Sequence, residues 1–183
     1  MVASSVYVNE DVHVLPNPYA LSIKPRLEYC SYLVDAVSDK LKQRYEETRG
    51  SNTKIYSQKE MADSPQFKKQ LELELGLLRA AEILKTVKKR LKSITQISNI
   101  TETVSPLISL IRIVNSSVYS SVPHNHDLIE LSTTLGSIVM DSGCLTEAKF
   151  DFKQTNLEST QILTEVNLIV ESKIRKQYPQ LNS

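Results

Sequence analysis

The stretch "LELGLLRAAEILKTVKKRLKSI", residues 73–94, decides the fold. Its apolar residues Leu73, Leu77, Ala80, Leu84, Val87, Leu91 and Ile94 step by four and three, the spacing of a helix that buries one seam along its length. The same stretch packs five cations into the eight positions from Lys85 to Lys92, with no acidic residue between Glu82 and Glu102. Lys85, Lys88, Lys89 and Lys92 share a helical face set at about 130° to the seam. The helix is therefore two-faced, apolar on one side and strongly basic on another.

Working outward, this helix has two plausible starts, a capping box at Ser57 with Glu60 and a Ser64-Pro65 start. From Pro65 to about Ile97 it would run roughly 50 Å at 1.5 Å per residue, too long for a compact globule of this size. Upstream, a first helix is expected to open at Pro25 and end at Arg49, with Gly50 in the left-handed C-terminal position. Leu27, Cys30, Val34, Val37, Leu41 and Tyr45 form its seam. The two together predict an antiparallel hairpin projecting as a rod.

Downstream, the expected helices are shorter. Ser105-Pro106 would cap a third, with apolar positions Leu107, Leu110, Ile111, Val114 and Val118. Asp127 with Glu130 would cap a fourth, carrying Leu128, Leu131, Leu135 and Ile138 and ending at Gly143. "TEAKFDFKQTNLEST" (146–160) has the polarity of a linker. After it comes a last amphipathic helix with Leu163, Val166, Ile169, Val170 and Ile174 on one stripe. The N-terminus differs: "VYVNEDVHV" (6–14) alternates apolar and polar residues, placing Val6, Val8, Val12 and Val14 on one face, and is followed by the helix-hostile "PNPY". It suits one strand or a small hairpin, with a disordered tail as the plainer alternative. The expected class is all-α with a short β-like N-terminal segment: an extension over 1–22, a helical core over 23–145, a linker over 146–158 and a C-terminal helix over 159–183.

Composition narrows the function. The net charge of +1 over 183 residues hides an asymmetry, because residues 1–100 hold 16 Lys/Arg against 12 Asp/Glu while residues 101–183 hold 6 against 9. The first part is thus +4 and the second −3. Cys30 and Cys144 lie in unrelated contexts without metal-ligand spacing, as expected of reduced cytoplasmic thiols. No signal peptide is expected, and the longest apolar stretch, "PLISLIRIV" (106–114), is short and carries Arg112, so any membrane contact would be peripheral. No phosphate loop, nucleophile elbow or ligand cluster is present. His124-Asn125-His126 reads as a polar connector rather than a metal or nuclease motif. Neither an enzyme nor a cofactor is expected.

The lysine face could be an ordinary solvated face. The missing counter-acids and the acidic second half argue instead for a polyanion, whether a membrane surface or the acidic part of a like chain. Single-stranded nucleic acid is disfavoured because residues 83–97 interleave no aromatics with their cations. Duplex phosphate contact stays open.

The order of a basic two-helix hairpin, then "VSPLISLIRIVNSSV" (104–118), "LIELSTTLGSIVMDSGCLT" (128–146), a polar linker and "STQILTEVNLIVESKIRKQYPQL" (159–181), resembles the ESCRT-III family, specifically archaeal CdvB-like cell-division proteins, over about residues 24–181. Its strongest parts are Lys85 to Ile94 and the aliphatic run closing on Asp141-Ser142-Gly143 with Leu145 and Thr146. The resemblance implies a homo-polymer that remodels membrane at the archaeal division neck, peripheral to the inner face of the cell membrane, with CdvB paralogues as co-polymer partners. A Vps4-like ATPase (CdvC) would extract subunits. With the sequence ending at Ser183, little room is expected for the proline-containing tail motif that binds the ATPase in that family, and no winged-helix domain is expected. A short paralogue or a truncated chain is expected, and with it an indirect link to the ATPase. Lys85, Lys88, Lys89 and Lys92, with Lys40, Lys42 and Arg44 of the first helix, are the expected membrane-binding residues. Leu163, Val166, Ile169, Val170 and Ile174 are the expected inter-subunit contact, together with Val6, Val8, Val12 and Val14. The last helix either folds back on its own core or crosses to the tip of a neighbour's hairpin, the segment around Gly50 to Phe67. The competing readings are a basic helical DNA-associated protein and a non-polymerising helical adaptor; on the leading reading, no nucleic-acid partner is expected.

Overall fold

The computed structural model describes residues 18–56, 64–94, 100–119, 126–146 and 152–179. Among them all regular structure is helical: α1 (Pro18–Tyr56), α2 (Pro65–Lys92), α3 (Ile100–Val118), α4 (His126–Thr146) and α5 (Phe152–Gln177). The predicted β-like stretch lies outside the described residues.

Cross-helix bonds fix the directions. Asn52 reaches Glu74 while Lys88 reaches Asp35, so α1 and α2 run antiparallel. Arg26 meets Asp141 and Lys40 meets Asp127, which sets α4 antiparallel to α1. With α2 on α3 and α3 on α4, the first four helices close a ring in which α2 and α4 are diagonal. The seams read from the sequence fill its interior: Cys30, Val34, Val37 and Leu41 meet Leu77, Ala80, Leu84 and Val87, and all of the predicted apolar positions of α3 and α4 are buried. The α1–α2 pair outruns its partners, since Gly76 is level with Ser117 near the end of α3 and Lys40 with Asp127 at the start of α4. Only that outer part projects, not the whole hairpin as a bare rod.

Helix α5 packs on α2 and α3 rather than standing apart. It starts beside α3, where the Ser159 hydroxyl donates to the Pro106 carbonyl, and ends over α1, where the Tyr45 hydroxyl donates to Gln177. Between those points it crosses the outside of α2.

Several predicted boundaries move. α1 starts at Pro18, not Pro25, and passes Arg49 and Gly50 to reach Tyr56; α3 starts at Ile100 with Pro106 inside it; α4 passes Gly143 to Thr146; α2 stops at Lys92. A proline inside a helix costs about 3 kcal/mol through a lost backbone bond and a ring clash. Burial upstream offsets it: Ile23 in α1, and Ile100, Thr101 and Val104 in α3, are at most 5% exposed. Past Gly50 the helix continues because Asn52 is buried against α2. The expected 146–158 linker is mostly helix, α5 beginning at Phe152, since the buried stripe extends back to Ser159 and Ile162. Of the two proposed starts for α2, Ser64-Pro65 is used: the Ser64 hydroxyl accepts from the Phe67 N–H at 3.1 Å. Ser57 and Glu60 lie outside the described residues.

Candidate functional site

The outer surface of α2 holds two sites of opposite kind. At its beginning, Glu74 is fully buried and acts only as an acceptor. Asn52 Nδ2 donates to Oε2 at 2.6 Å, the Tyr178 hydroxyl to the same oxygen at 2.8 Å, and Gln177 Nε2 to Oε1 at 2.7 Å. Asn52 Nδ2 also reaches the Gln70 carbonyl at 3.0 Å. Phe67 packs edge-on against the Tyr178 ring, centroids 5.8 Å apart. Burial, reinforced by the Glu74 carboxylate, pushes the phenols of Tyr45 and Tyr178 up to about 12. One carboxylate thus gathers donors from α1 and from the end of α5.

Two turns on, Glu82 accepts from Lys173 of α5 at 2.8 Å and pairs with Lys85 at 3.3 Å. Burial alone would raise its carboxyl; the two ammonium groups outweigh that and hold it below the usual carboxylate range. Arg79 Nε donates to Asn167 and Arg90 pairs with Glu158 at 3.8 Å, extending the α2–α5 seam.

The predicted basic face lies beside this seam, which reaches as far as Arg90, and the structure splits it. Lys85 is 70% exposed although it leans on Glu82. Lys88 is paired with Asp35 of α1. Lys89 and Lys92 are exposed and have no ion pair among the described residues, and the same holds for Lys42 on α1. Lys40 turns to the far side of α1, to Asp127 of α4 at 3.1 Å, and Arg44 pairs with Glu47 at 3.1 Å. The uncovered cations are therefore Lys42, Lys85, Lys89 and Lys92; Lys40 faces α4 rather than α2.

In the predicted α5 stripe, Val166, Val170 and Ile174 are buried against the chain's own core and Leu163 is partly so. Ile169 is 44% exposed and Ile162, only 2% exposed, belongs in the stripe. Val6, Val8, Val12 and Val14 lie outside the described residues.

Sequence reading missed Glu74, Asn52, Gln177 and Tyr178. A signal was present: Phe67, Leu71, Glu74 and Leu78 step by four, three and four on a face distinct from the main seam, so the first half of α2 needs a second covering partner. Nothing in these sites assembles a catalytic set. The Cys30 thiol is buried and pushed up to about 12, far from a reactive thiolate, and the described residues hold no group of three or more potential metal ligands. No helix among them is long and apolar enough to cross a membrane. Compared with known proteins, the chain matches no protein-family model and no solved structure.

Proposed function

We propose that the chain is a non-enzymatic, polymer-forming membrane-remodelling subunit of the ESCRT-III/CdvB type, acting in constriction and scission during archaeal cell division. The observation that carries it is the lysine face of α2: with the described helices packed, Lys85, Lys89 and Lys92 remain outside while the apolar seam of the same helix is buried from Leu77 to Leu91. An antiparallel α1–α2 pair with a projecting tip, shorter helices against its base and a last helix laid back towards that tip are the parts such a protein needs. Each Lys near an anionic leaflet contributes about 1 kcal/mol, so the uncovered set gives roughly 3–4 kcal/mol, weak for one subunit and sensitive to salt. A polymer multiplies it through avidity.

The docking of α5 supports the assembly half of the proposal. Its end reaches the tip region of its own hairpin, meeting Phe67 and Glu74. The same contact made on a neighbour would link copies head to tail. CdvB paralogues would share it, the Vps4-like ATPase would act indirectly, and the site of action is the inner face of the cell membrane.

Sedimentation with anionic vesicles, followed by electron microscopy, tests the proposal. The expected result is salt-sensitive co-sedimentation with filaments on the vesicle surface. Complete competition by duplex DNA of matched charge at equal ionic strength would move the chain to the DNA-associated class. Absence of polymers with or without lipid would leave a helical adaptor.

A further inference from the structure

Two helices carry uncharged outer stripes that no other described residue covers. On α4, Ile129 and Met140 are 62% and 71% exposed; on α5, Leu157 and Leu168 are 53% and 64% exposed. The pairs have the same spacing, eleven residues or about 16 Å along a helix. Between them at four and seven residues stand small or neutral side chains, Thr133 and Gly136 on α4, Gln161 and Thr164 on α5. No residue from Leu131 to Met140 is charged on any face of α4. A surface helix normally sets charge against water, so ten uncharged residues with large apolar ends imply a cover. The two stripes do not cover each other within one molecule: the large residues at their ends are all more than half exposed, α4 packing on α1 and α3 and α5 on α2 and α3 by their other faces.

We infer that the outer face of α4 is a docking surface for the outer face of α5 on a second copy of this chain, with the two helices antiparallel. Matched spacing puts Ile129 opposite Leu168 and Met140 opposite Leu157, and the small residues between let the backbones approach. Charge selects the direction. Antiparallel pairing brings the start of α4, where Glu130 is exposed, Asp127 is held by Lys40 of its own chain and no Lys or Arg stands, towards the last turns of α5, where Arg175 and Lys176 outnumber one acid, Glu171. It also sets opposite helix-dipole ends together. Parallel pairing would place Glu130 against Glu158. Because the two surfaces differ, the contact is heterologous and leaves an α4 face and an α5 face free at the ends of a pair to take further copies. It uses the outside of α5, so it forms while the inner stripe stays docked on its own core. The proposal deepens the filament reading by naming an interface that does not require α5 to cross.

Gly136 gives a clean probe: a Cβ there meets nothing within 4 Å in its own chain, and glutamate favours a helix more than glycine does. Gly136→Glu in the full chain should keep its circular dichroism and thermal transition and lose self-association at concentrations where the wild type assembles. In a Cys144→Ser background, Ile129→Cys and Leu168→Cys proteins should form disulfide-linked dimers on mild oxidation when mixed, well above either alone and above an Ile129→Cys with Leu157→Cys mixture. Unchanged assembly by a folded Gly136→Glu protein overturns the inference. So do equal cross-linking by Ile129→Cys alone, equal yield in the parallel mixture, or no mixed dimers. If wild-type filaments form on vesicles and survive Gly136→Glu, this interface fails and the filament reading stands; if the mixed dimers form but no filaments do, the contact stands and the filament reading fails.

Discussion

One face of α2 meets two fates. Phe67, Leu71, Glu74 and Leu78 and, further along, Lys85 and Lys92 fall on nearly the same line of the helix. In the first half that line is closed over: Phe67, Glu74 and Leu78 are 1%, 0% and 5% exposed beneath α1 and the end of α5. In the second half it is open water and lysine. The difference shows what places α5. Its apolar stripe could slide along a groove of like residues, because apolar burial is not directional. Glu74 and Glu82 are directional: each is a buried carboxylate, met by donors from Lys173 and Gln177 of α5 and from Tyr178 just after it. Polar burial specifies the register, and apolar burial supplies the adhesion.

The largest effect should come from destroying the adhesion. Val166 and Val170 are each 2% exposed, and full burial of such a side chain contributes about 1.5–3 kcal/mol. Val166→Asp with Val170→Asp removes that and asks two carboxylates to enter an apolar interface without partners. Far-ultraviolet circular dichroism should stay helical while protease cleaves α5 from a core that remains protected. A double variant with α5 protected as in the wild type would show that the stripe does not hold the helix.

Removing the register mark should cost less. Glu74→Ala leaves the donors of Asn52, Gln177 and Tyr178 without their acceptor, at about 1–3 kcal/mol for a buried orphaned group. Tyr178→Phe removes one donor and keeps the ring against Phe67, so about 1 kcal/mol is expected. Chemical denaturation should rank them in that order, with hydrogen exchange rising first in the last turns of α5. If Tyr178→Phe were the more damaging, Glu74 would not be the centre of the network.

Alkali tests the same end without mutation. Tyr178 is raised to about 12 in the fold, against about 10 when unfolded. The fold favours the neutral phenol, so its contribution is complete below about pH 10 and is lost as pH rises through about 12. Phenolate absorbance should show a late-titrating component that Tyr178→Phe diminishes. Loss of α5 protection in the same window, and not at neutral pH, is the expected companion.

The sequence revealed the seams better than the ends. Periodicity located the main buried seam of each of α1 to α4 because one apolar stripe per helix is enough to close a ring. Pro25, Gly50, Pro106 and Gly143 misled because their local preference for a boundary is worth a few kcal/mol at most, and burial of Ile23, Asn52 or Val104 outweighs it. Ile169 was placed inside and Ile162 overlooked for another reason. A helix that crosses its neighbour obliquely uses a stripe whose angle drifts along its length, and a fixed-period reading does not follow the drift. Glu74 was invisible as a site because a glutamate on a helix surface normally meets water; only its neighbours Phe67, Leu71 and Leu78 mark the face as covered.

The smallest effect on stability, and a decisive one for function, belongs to the open half of the face. Lys89 and Lys92 are exposed and have no ion pair among the described residues, so Lys89→Glu with Lys92→Glu should change stability by no more than about 0.5 kcal/mol per site. Lys88→Glu is the control, because it breaks the contact with Asp35 and should lose about 0.2–1 kcal/mol as an exposed pair does. If the face serves a membrane, the double reversal abolishes co-sedimentation with anionic vesicles while polymers still form in the absence of lipid. If it serves the acidic part of a neighbouring copy, the same protein loses polymers without any lipid present, and added salt dissolves wild-type polymers in the same way. A variant that keeps both activities would return the lysines to an ordinary solvated face, and the contrast along α2 would then concern the docking of α5 alone.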